Sequence, residues 1–514
     1  MTSLIQLAAS DNVAVATRAI SAGIEMSLPT CRVVAIDAIQ PGHKVALCDI
    51  HAGENITKYG QPIGVAAIDI RAGQHVHSHN CDDQHVVSSD LSVISPPDSP
   101  TPIRRDFLGF HRPDGRVGTR NYVLLLSTVN CSATVCHRVA QLFDEERMKR
   151  WPNVDGVFAA THTTGCALQY NGIKHQMLGR TLAGYAQHPN VGGVLVIGLG
   201  CEQTTSGYLT DHHKMVSLYG PGGEQLTRDD GVPILTMQTE GGTRATIKKA
   251  EVLLEQVLDQ ANQFTRETAD ASHLMLAMEC GGSDGYSGLT ANPAVGVVSD
   301  RIIACGGTSI ISETTELYGA EHLLVARSRN ETVGQSLLDR IDWWKKHVAM
   351  YGGKIDNNPS VGNKAGGLTT ITEKSLGAVS KSGSTALEAV YKYAERVDTK
   401  GLCVMDTPGF DPASVTGKVA GGANLVLFTT GRGSCFGCKP SPVIKIATNS
   451  PMYETMREDM DLNAGSVIDG EDLQTVGDRF FDFTLKVASG ETTASERLGV
   501  GDHEFIPWTV GPTL

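Results

Sequence analysis

Cys131, Cys166, Cys201 and Cys280 each stand just past a strongly apolar run, at residues 122–126, 156–160, 194–197 and 274–278. Short apolar runs separated by helical-length segments read as buried strands of a parallel α/β sheet. Such sheets bind ligands in the crevice outside the carboxyl ends of their strands, so the four thiols are expected to converge on one crevice. A single buried cysteine is usually a small hydrophobe. Four at the same position along a strand, three of them beside glycine (Gly165-Cys166, Gly200-Cys201, Cys280-Gly281), favour a site. They suffice in number to ligate an iron–sulfur cluster, although their spacing matches no compact ferredoxin pattern.

His75-Val76-His77-Ser78-His79 places imidazoles at i, i+2 and i+4. In a strand these lie on one face and offer two ligands, less easily three, to a metal; the alternative is a solvated edge strand. His43-Lys44, just after the Pro41-Gly42 turn, is a weaker substrate-contact candidate. Gly281-Gly282-Ser283-Asp284-Gly285 lacks the spacing of a dinucleotide loop, and residues 192–200 lack the Lys-Ser/Thr of a P-loop. Ser283, Asp284, Thr290 and Asn292 suit hydroxyl binding instead. Glu313 and Glu316 would share a helix face and read equally as site residues or as exposed charges. Cys435-x-x-Cys438 has no second Cys-x-x-Cys to complete a zinc site.

The elements that must position these residues divide the chain. Residues 1–85 show short β-type runs and no long helix, a small all-β module. Residues 86–105 are rich in serine and proline, a linker composition. Strand and helix patterns then alternate in α/β fashion over 106–395, with a weaker boundary before a C-terminal α/β domain at 396–514. At 514 residues, 41% hydrophobic and 19% charged, the chain can bury large cores. Its net charge of −13, without a Lys/Arg run, argues against nucleic acid and anionic membrane surfaces. The twelve cysteines form no disulfide framework, and no leader pattern or ~20-residue membrane span is visible. The expectation is a cytoplasmic enzyme with reduced thiols, possible self-association being left open.

Longer strings carry a family resemblance. Pro41 to Leu47, Lys58-Tyr-Gly60 and His75 to Asn80 resemble an SAF-type β-clip module. His162-Thr-Thr-Gly-Cys166, Ile197-Gly-Leu-Gly-Cys-Glu202, Glu279 to Gly285, Ser287 to Pro293, Asn358 to Gly367, Lys374-Ser-Leu-Gly377 and Thr430-Gly-Arg-Gly433 resemble the altronate/galactarate dehydratase family. The resemblance covers nearly the whole chain, and departs at Ser434-Cys-Phe-Gly-Cys-Lys-Pro440, which is closer to relatives such as the sulfolactate sulfo-lyase large subunit. It implies dehydration of a six-carbon sugar acid to a 2-keto-3-deoxy acid, with sulfo-lyase or other β-elimination as the alternative. It also implies a divalent metal, Fe2+ first and Mn2+, Mg2+ or Ca2+ next.

β-Elimination beside a carboxylate needs a base, a stabiliser for the enediolate and an acid for the leaving hydroxyl. The metal ligands are expected to be His75 and His77, helped by Glu202, Glu279, Cys201 or Cys280. Arg432, between glycines after a strand, suits a bidentate grip on carboxylate. His162 is the expected base, Lys364 the second candidate, and Cys166 a further catalytic candidate; the resemblance is what raises His162 and Arg432 above ordinary loop residues.

Overall fold

The structure is a computed structural model that describes residues 3–83, 94–215 and 232–510, with the backbone of two short strands at Leu218–Tyr219 and Gln225–Leu226. The N-terminal module is built from short antiparallel ladders, among them Leu4–Ile5, Val13–Ala16, Lys44–Ala46 and His75–Val76 in one sheet. Alternating small apolar residues make such two- to six-residue strands possible, and Gly-containing turns close them. Part of the linker composition, residues 84–93, lies outside the described residues. The stretch that follows is tied down by Ser95 N–H donating to Ala326 O and Ile103 N–H to Ala304 O.

Two fully parallel sheets follow. The first has the order Gly156–Ala160, Tyr122–Ser127, Val191–Gly198, Ile234–Thr236. The second has seven strands in the order Leu387–Tyr391, Gly401–Met405, Thr308–Ile311, Met275–Cys280, Leu425–Thr430, Val443–Ala447, Leu462–Asn463. Central strands such as Tyr122–Ser127 and Leu425–Thr430 are buried at every residue, which is why they read as continuous apolar runs and not as alternating ones. The expected boundary at 395–396 is corrected: Leu387–Tyr391 and Gly401–Met405 pair directly within one sheet. The break between the two α/β units falls near residues 262–271, where the strand Arg266–Asp270 pairs with Asp106–His111. One apolar cluster joins the two units, with Leu124, Val194 and Val196 from the first sheet and Val426 and Phe428 from the second. Between the sheets the helices Ile173–Ala186 and Asp411–Ala420 approach so closely that a Cβ on Gly184 would collide with Ala420 O.

In the seven-stranded sheet the chain leaves Met275–Cys280 toward Thr308–Ile311 on one side and returns to Leu425–Thr430 on the other. The direction of winding therefore reverses between Met275–Cys280 and Leu425–Thr430. The crevice at such a reversal is where open α/β sheets bind ligands.

Candidate functional site

The loops at that reversal are Cys280 to Gly285 and Thr430 to Gly433, and backbone bonds lock them together: Gly431 N–H and Arg432 N–H both donate to Gly282 O, at 3.1 and 2.8 Å. They border a cleft of about 820 Å³ whose lining includes Arg18, Gln40, Asp284, Gly366, Arg432 and Asn449. Arg432 is exposed, and neither its guanidinium nor that of Arg18 has an ion pair or hydrogen bond among the described residues. Asp284 is buried and held by Thr448 Oγ1 (3.0 Å), Asn449 Nδ2 (3.1 Å) and Ser287 Oγ (3.1 Å). Burial raises its carboxyl pKa, and these hydrogen bonds counter part of that rise. The β module forms the opposite wall. Its Pro41-Gly42 turn meets the backbone of Gly285 and Gly367 so tightly that a Cβ on either would strike Gly42 O. Large side chains would hold the module off; glycine lets it dock.

Docking also gathers imidazoles. His43 Nδ1 lies 2.9 Å from His75 Nε2; His43 Nε2 donates to Ala365 O (3.3 Å) and His77 Nε2 to Lys364 O (2.9 Å). Ala365 and Gly366, at the C-terminal end of the helix Val361–Ala365, line the cleft, so the imidazoles and the cleft share that helix end. The sequence placed His75, His77 and His79 on a strand face. The strand ends at Val76; His79, though exposed, keeps its ring 5.5 Å from that of His75, and His43, just before the strand Lys44–Ala46, adds a further imidazole. Burial, then the neighbouring imidazoles, lowers His75 to about 4; His43 and His77 are lowered chiefly by burial. All three are therefore neutral near pH 7, the form that binds metals, and His75 Nδ1 has no hydrogen bond among the described residues. Imidazole nitrogens suit first-row divalent ions, but His43 and His77 have both ring nitrogens engaged, the latter also with Ser78 Oγ at 3.0 Å, so an ion here requires those contacts to open. Lys44 is corrected: it is fully buried away from the cleft lining and pairs with Glu373 Oε2 at 2.9 Å, while Lys58 takes Oε1 at 2.8 Å.

Behind the Cys280 loop lies a dense buried charge cluster. Glu279 pairs with Lys418 and accepts from Ser414 Oγ; Glu313 pairs with Lys381 at 3.0 Å; Glu316 pairs with Lys374 at 2.7 Å. Cys280 Sγ is 3.5 Å from Glu313 Oε2, which also accepts the Cys280 N–H at 3.3 Å. Glu313 itself stands in the left-handed region at φ 59°, a strained placement for a non-glycine residue. Asp411, at the start of its helix, is raised to about 7 by burial and by Glu313 and Glu316. Glu279 and Cys280 are thus removed from the imidazoles, and Glu313 from the open cleft; they brace the loop that carries Asp284. Ser283, Thr290 and Asn292 do not line the cleft either. Thr290 Oγ1 donates to Thr448 O, Asn292 bridges Thr429 and Gly377, and Ser283 O accepts from Asn363.

The remaining expected residues sit at the carboxyl edge of the other sheet. His162 is buried, with Nε2 donating to Ser127 O (3.1 Å) and Nδ1 accepting from Thr164 N–H (3.2 Å). Burial lowers it to about 4. Both ring nitrogens are engaged within its own turn and the neighbouring strand end, and it lies at the other sheet's edge, away from the cleft lining. Glu202 spends its carboxylate on Thr128 Oγ1 and Gly200 N–H, both at 2.7 Å, so it is no ligand of the imidazole cluster. Cys131, Cys166 and Cys201 share this edge without Cys280: the four expected thiols divide three and one. Cys438 is buried against Tyr185 at 3.9 Å while Cys435 is exposed. Sequence reasoning missed Arg18, Asn449 and Asp411; Asn449 was legible as an N-cap before Ser450-Pro451.

A β-clip wall closed over the switch point of a parallel sheet, with two guanidinium groups unpaired among the described residues at the cleft and a group of neutral imidazoles beside it, is the architecture of an α/β enzyme. Three family descriptions match in succession: an altronate/galactarate dehydratase SAF domain at residues 2–84, the D-galactarate dehydratase/altronate hydrolase second domain at 109–262, and the D-galactarate/altronate dehydratase C-terminal domain at 271–513. The chain is 36% identical to the altronate dehydratase of Escherichia coli K12 over 96% of both chains. It is 36% identical to the galactarate dehydratase (L-threo-forming) of the same organism, over 90% of this chain and 89% of the other. A (2R)-sulfolactate sulfo-lyase subunit beta of Chromohalobacter salexigens is 33% identical over 78% of this chain and 97% of its own. The chain belongs to the altronate/galactarate dehydratase family and is a hydro-lyase.

Proposed function

We propose that the chain removes water from a hexonic or hexaric sugar acid to give a 2-keto-3-deoxy acid, with a divalent metal held by His43, His75 and His77. The observation that carries this reading is the unpaired Arg432 guanidinium, presented by two glycines at the sheet's switch point into a cleft whose other wall is the β module that also carries the imidazoles. Arg432 grips the carboxylate next to the carbon that loses its proton. Arg18, the second free guanidinium, takes the far end of the substrate. Asp284 accepts from a hydroxyl, and Asn449, whose Nδ2 donates to Asp284 and Gly431 O, holds that carboxylate in place. Lys364, in the helix Val361–Ala365 whose last carbonyls hold the imidazoles, is the base candidate that remains once His162 is placed elsewhere. A divalent ion, Fe2+ first, supplies a Lewis acid for the departing hydroxyl when bound. A panel of altronate, galactarate and related acids, assayed for 2-keto-3-deoxy acid with and without added Fe2+ or Mn2+, tests the reading. Turnover of none of them, under anaerobic conditions with metal present, would overturn it.

A further inference from the structure

Three cysteines converge on the four-stranded sheet, and nothing in the cleft chemistry uses them. Cys131 lies in the first turn of the helix Asn130–Ala140, directly after the strand Tyr122–Ser127. Cys166 and Cys201 follow the two strands that flank it, Gly156–Ala160 and Val191–Gly198. Their loops are stitched to one another. Asn130 N–H donates to Thr164 O at 2.9 Å, Gln203 N–H donates to Gly165 O at 2.9 Å, and Thr128 Oγ1 donates to Glu202 at 2.7 Å. A Cβ on Gly165 would strike Thr128 O and Val129, so the Cys166 loop rests directly on the one leading to Cys131. Cys131, Cys201 and Glu202 are the titratable groups near enough to Cys166 to help burial push its thiol up.

Three features separate this edge from packing. Cys131 and Cys201 are exposed and Cys166 is partly so, whereas structural thiols such as Cys136 and Cys403 are buried. The backbone beside the thiols is held in unusual conformations, with Gly165 at φ 103°, Ala167 at φ 52° and Gly200 at φ 123°; Ala167 has no glycine's freedom there. The helix carrying Cys131 has Val129 at its N-cap, whose side chain offers no cap, so its first N–H groups and the positive end of its dipole lie beside Cys131. Burial and the neighbouring thiols push the Cys166 thiol up, so metal binding must drive its deprotonation.

The geometry points to a three-thiolate site for an iron–sulfur cluster, with Cys131, Cys166 and Cys201 as its ligands and one iron left open to an oxygen ligand. The three sulfurs are not drawn within 4.8 Å of one another, unlike the groups Cys280-Glu313-Glu316 and Glu279-Glu313-Asp411 among the described residues. A cluster spreads its ligands wider than a single ion does. No fourth cysteine reaches this edge among the described residues, and Glu202 is committed to Thr128 and Gly200. On taking up a preformed four-iron, four-sulfide cluster, each thiol passes its proton to solvent and bonds one iron; the fourth iron keeps water. The site stands apart from the imidazole cluster, so it does not depend on the function proposed above.

The full chain is purified anaerobically and, in a parallel sample, incubated with iron and sulfide under a thiol reductant. Iron and acid-labile sulfide are then measured, with visible absorbance and low-temperature EPR of the reduced protein. The expected result is about four irons and an equal amount of sulfide per chain, with more than half lost in C131S, C166S and C201S. C280S and C435S should retain it, and so should H77A, which separates this site from the metal proposed for the cleft. Circular dichroism checks that the serine variants remain folded, and C131S and C201S alter exposed side chains. Iron or zinc bound without sulfide, a disulfide among the three cysteines, or undiminished sulfide in the triple serine variant would each overturn the assignment.

Discussion

Arg432 shows most clearly what one residue contributes. Its backbone N–H is fixed to Gly282 O, and its guanidinium has no protein partner among the described residues, so its planar fork is free for a carboxylate. Arg432→Lys keeps the charge and removes the fork; turnover efficiency on the acid the panel identifies is expected to fall about tenfold, ~1.5 kcal/mol of transition-state stabilisation. Arg432→Ala should lose more, and equal efficiency of the lysine variant and wild type would remove Arg432 from the site. His77→Ala should lower divalent-metal content and activity together while leaving the fold unchanged. Because protons compete with metal for imidazole and burial holds His75 at about 4, retention should persist below ~pH 6.5, the ordinary imidazole value, and fail only as pH approaches 4. Metal analysis after equilibration at stepped pH checks this; loss already complete at pH 6 would contradict it.

At the scale of elements, the joint between the β module and the sheet is decided by Glu373. Burial pushes its carboxyl up, but Lys44 and Lys58 outweigh that and hold it well below the ordinary range. All three side chains are at most 1% exposed, so removing the carboxylate strands two ammonium groups in the interior. Glu373→Gln is expected to destabilise by about 3–5 kcal/mol, seen as a lowered Tm and faster proteolytic release of the module; an unchanged Tm would deny the joint its role. With its own strands, helices and apolar content, the part after the linker, residues 105–514, reads from sequence as able to fold alone. The shared core argues otherwise, since Val13, Ile56, Ile63 and Val76 of the module pack in one cluster with Leu276, Leu317 and Leu376. The truncated chain is now expected to expose that surface and aggregate, which light scattering of the purified fragment reads directly.

For the molecule as a whole, buried neutral histidines set the acid limb of stability. Burial lowers His188 to about 3 and His162 to about 4, both below the unfolded value of ~6.5. Below that pH the unfolded chain binds protons that the native one refuses, so stability is full above ~pH 6.5 and declines as pH falls toward 4. Urea midpoints measured from pH 7.5 to 4.5 should therefore drop, and His188→Asn should flatten the slope. A slope unchanged in that variant would place the acid sensitivity elsewhere.

The local code was enough for the strands, the β module and the cleft arginine. Short continuous apolar runs of strand length bounded by glycines read as doubly covered strands, and Gly-Arg-Gly past such a run then falls at the sheet's carboxyl edge. Which loops meet was decided by tertiary structure, because the two sheets have separate carboxyl edges that look alike in sequence. His162, Cys166, Cys201 and Glu202 went to one edge, Asp284 and Arg432 to the other, and Cys280 beneath it. The imidazole pattern at 75, 77 and 79 hid its real partner, His43, since strand pairing across a turn leaves no periodic trace. Long-range partners such as Glu373 with Lys44 and Lys58 were likewise silent: a lysine's type and neighbours do not reveal whether docking will bury it. Composition and periodicity act over a few residues, whereas a site built from three segments is set by how whole surfaces pack.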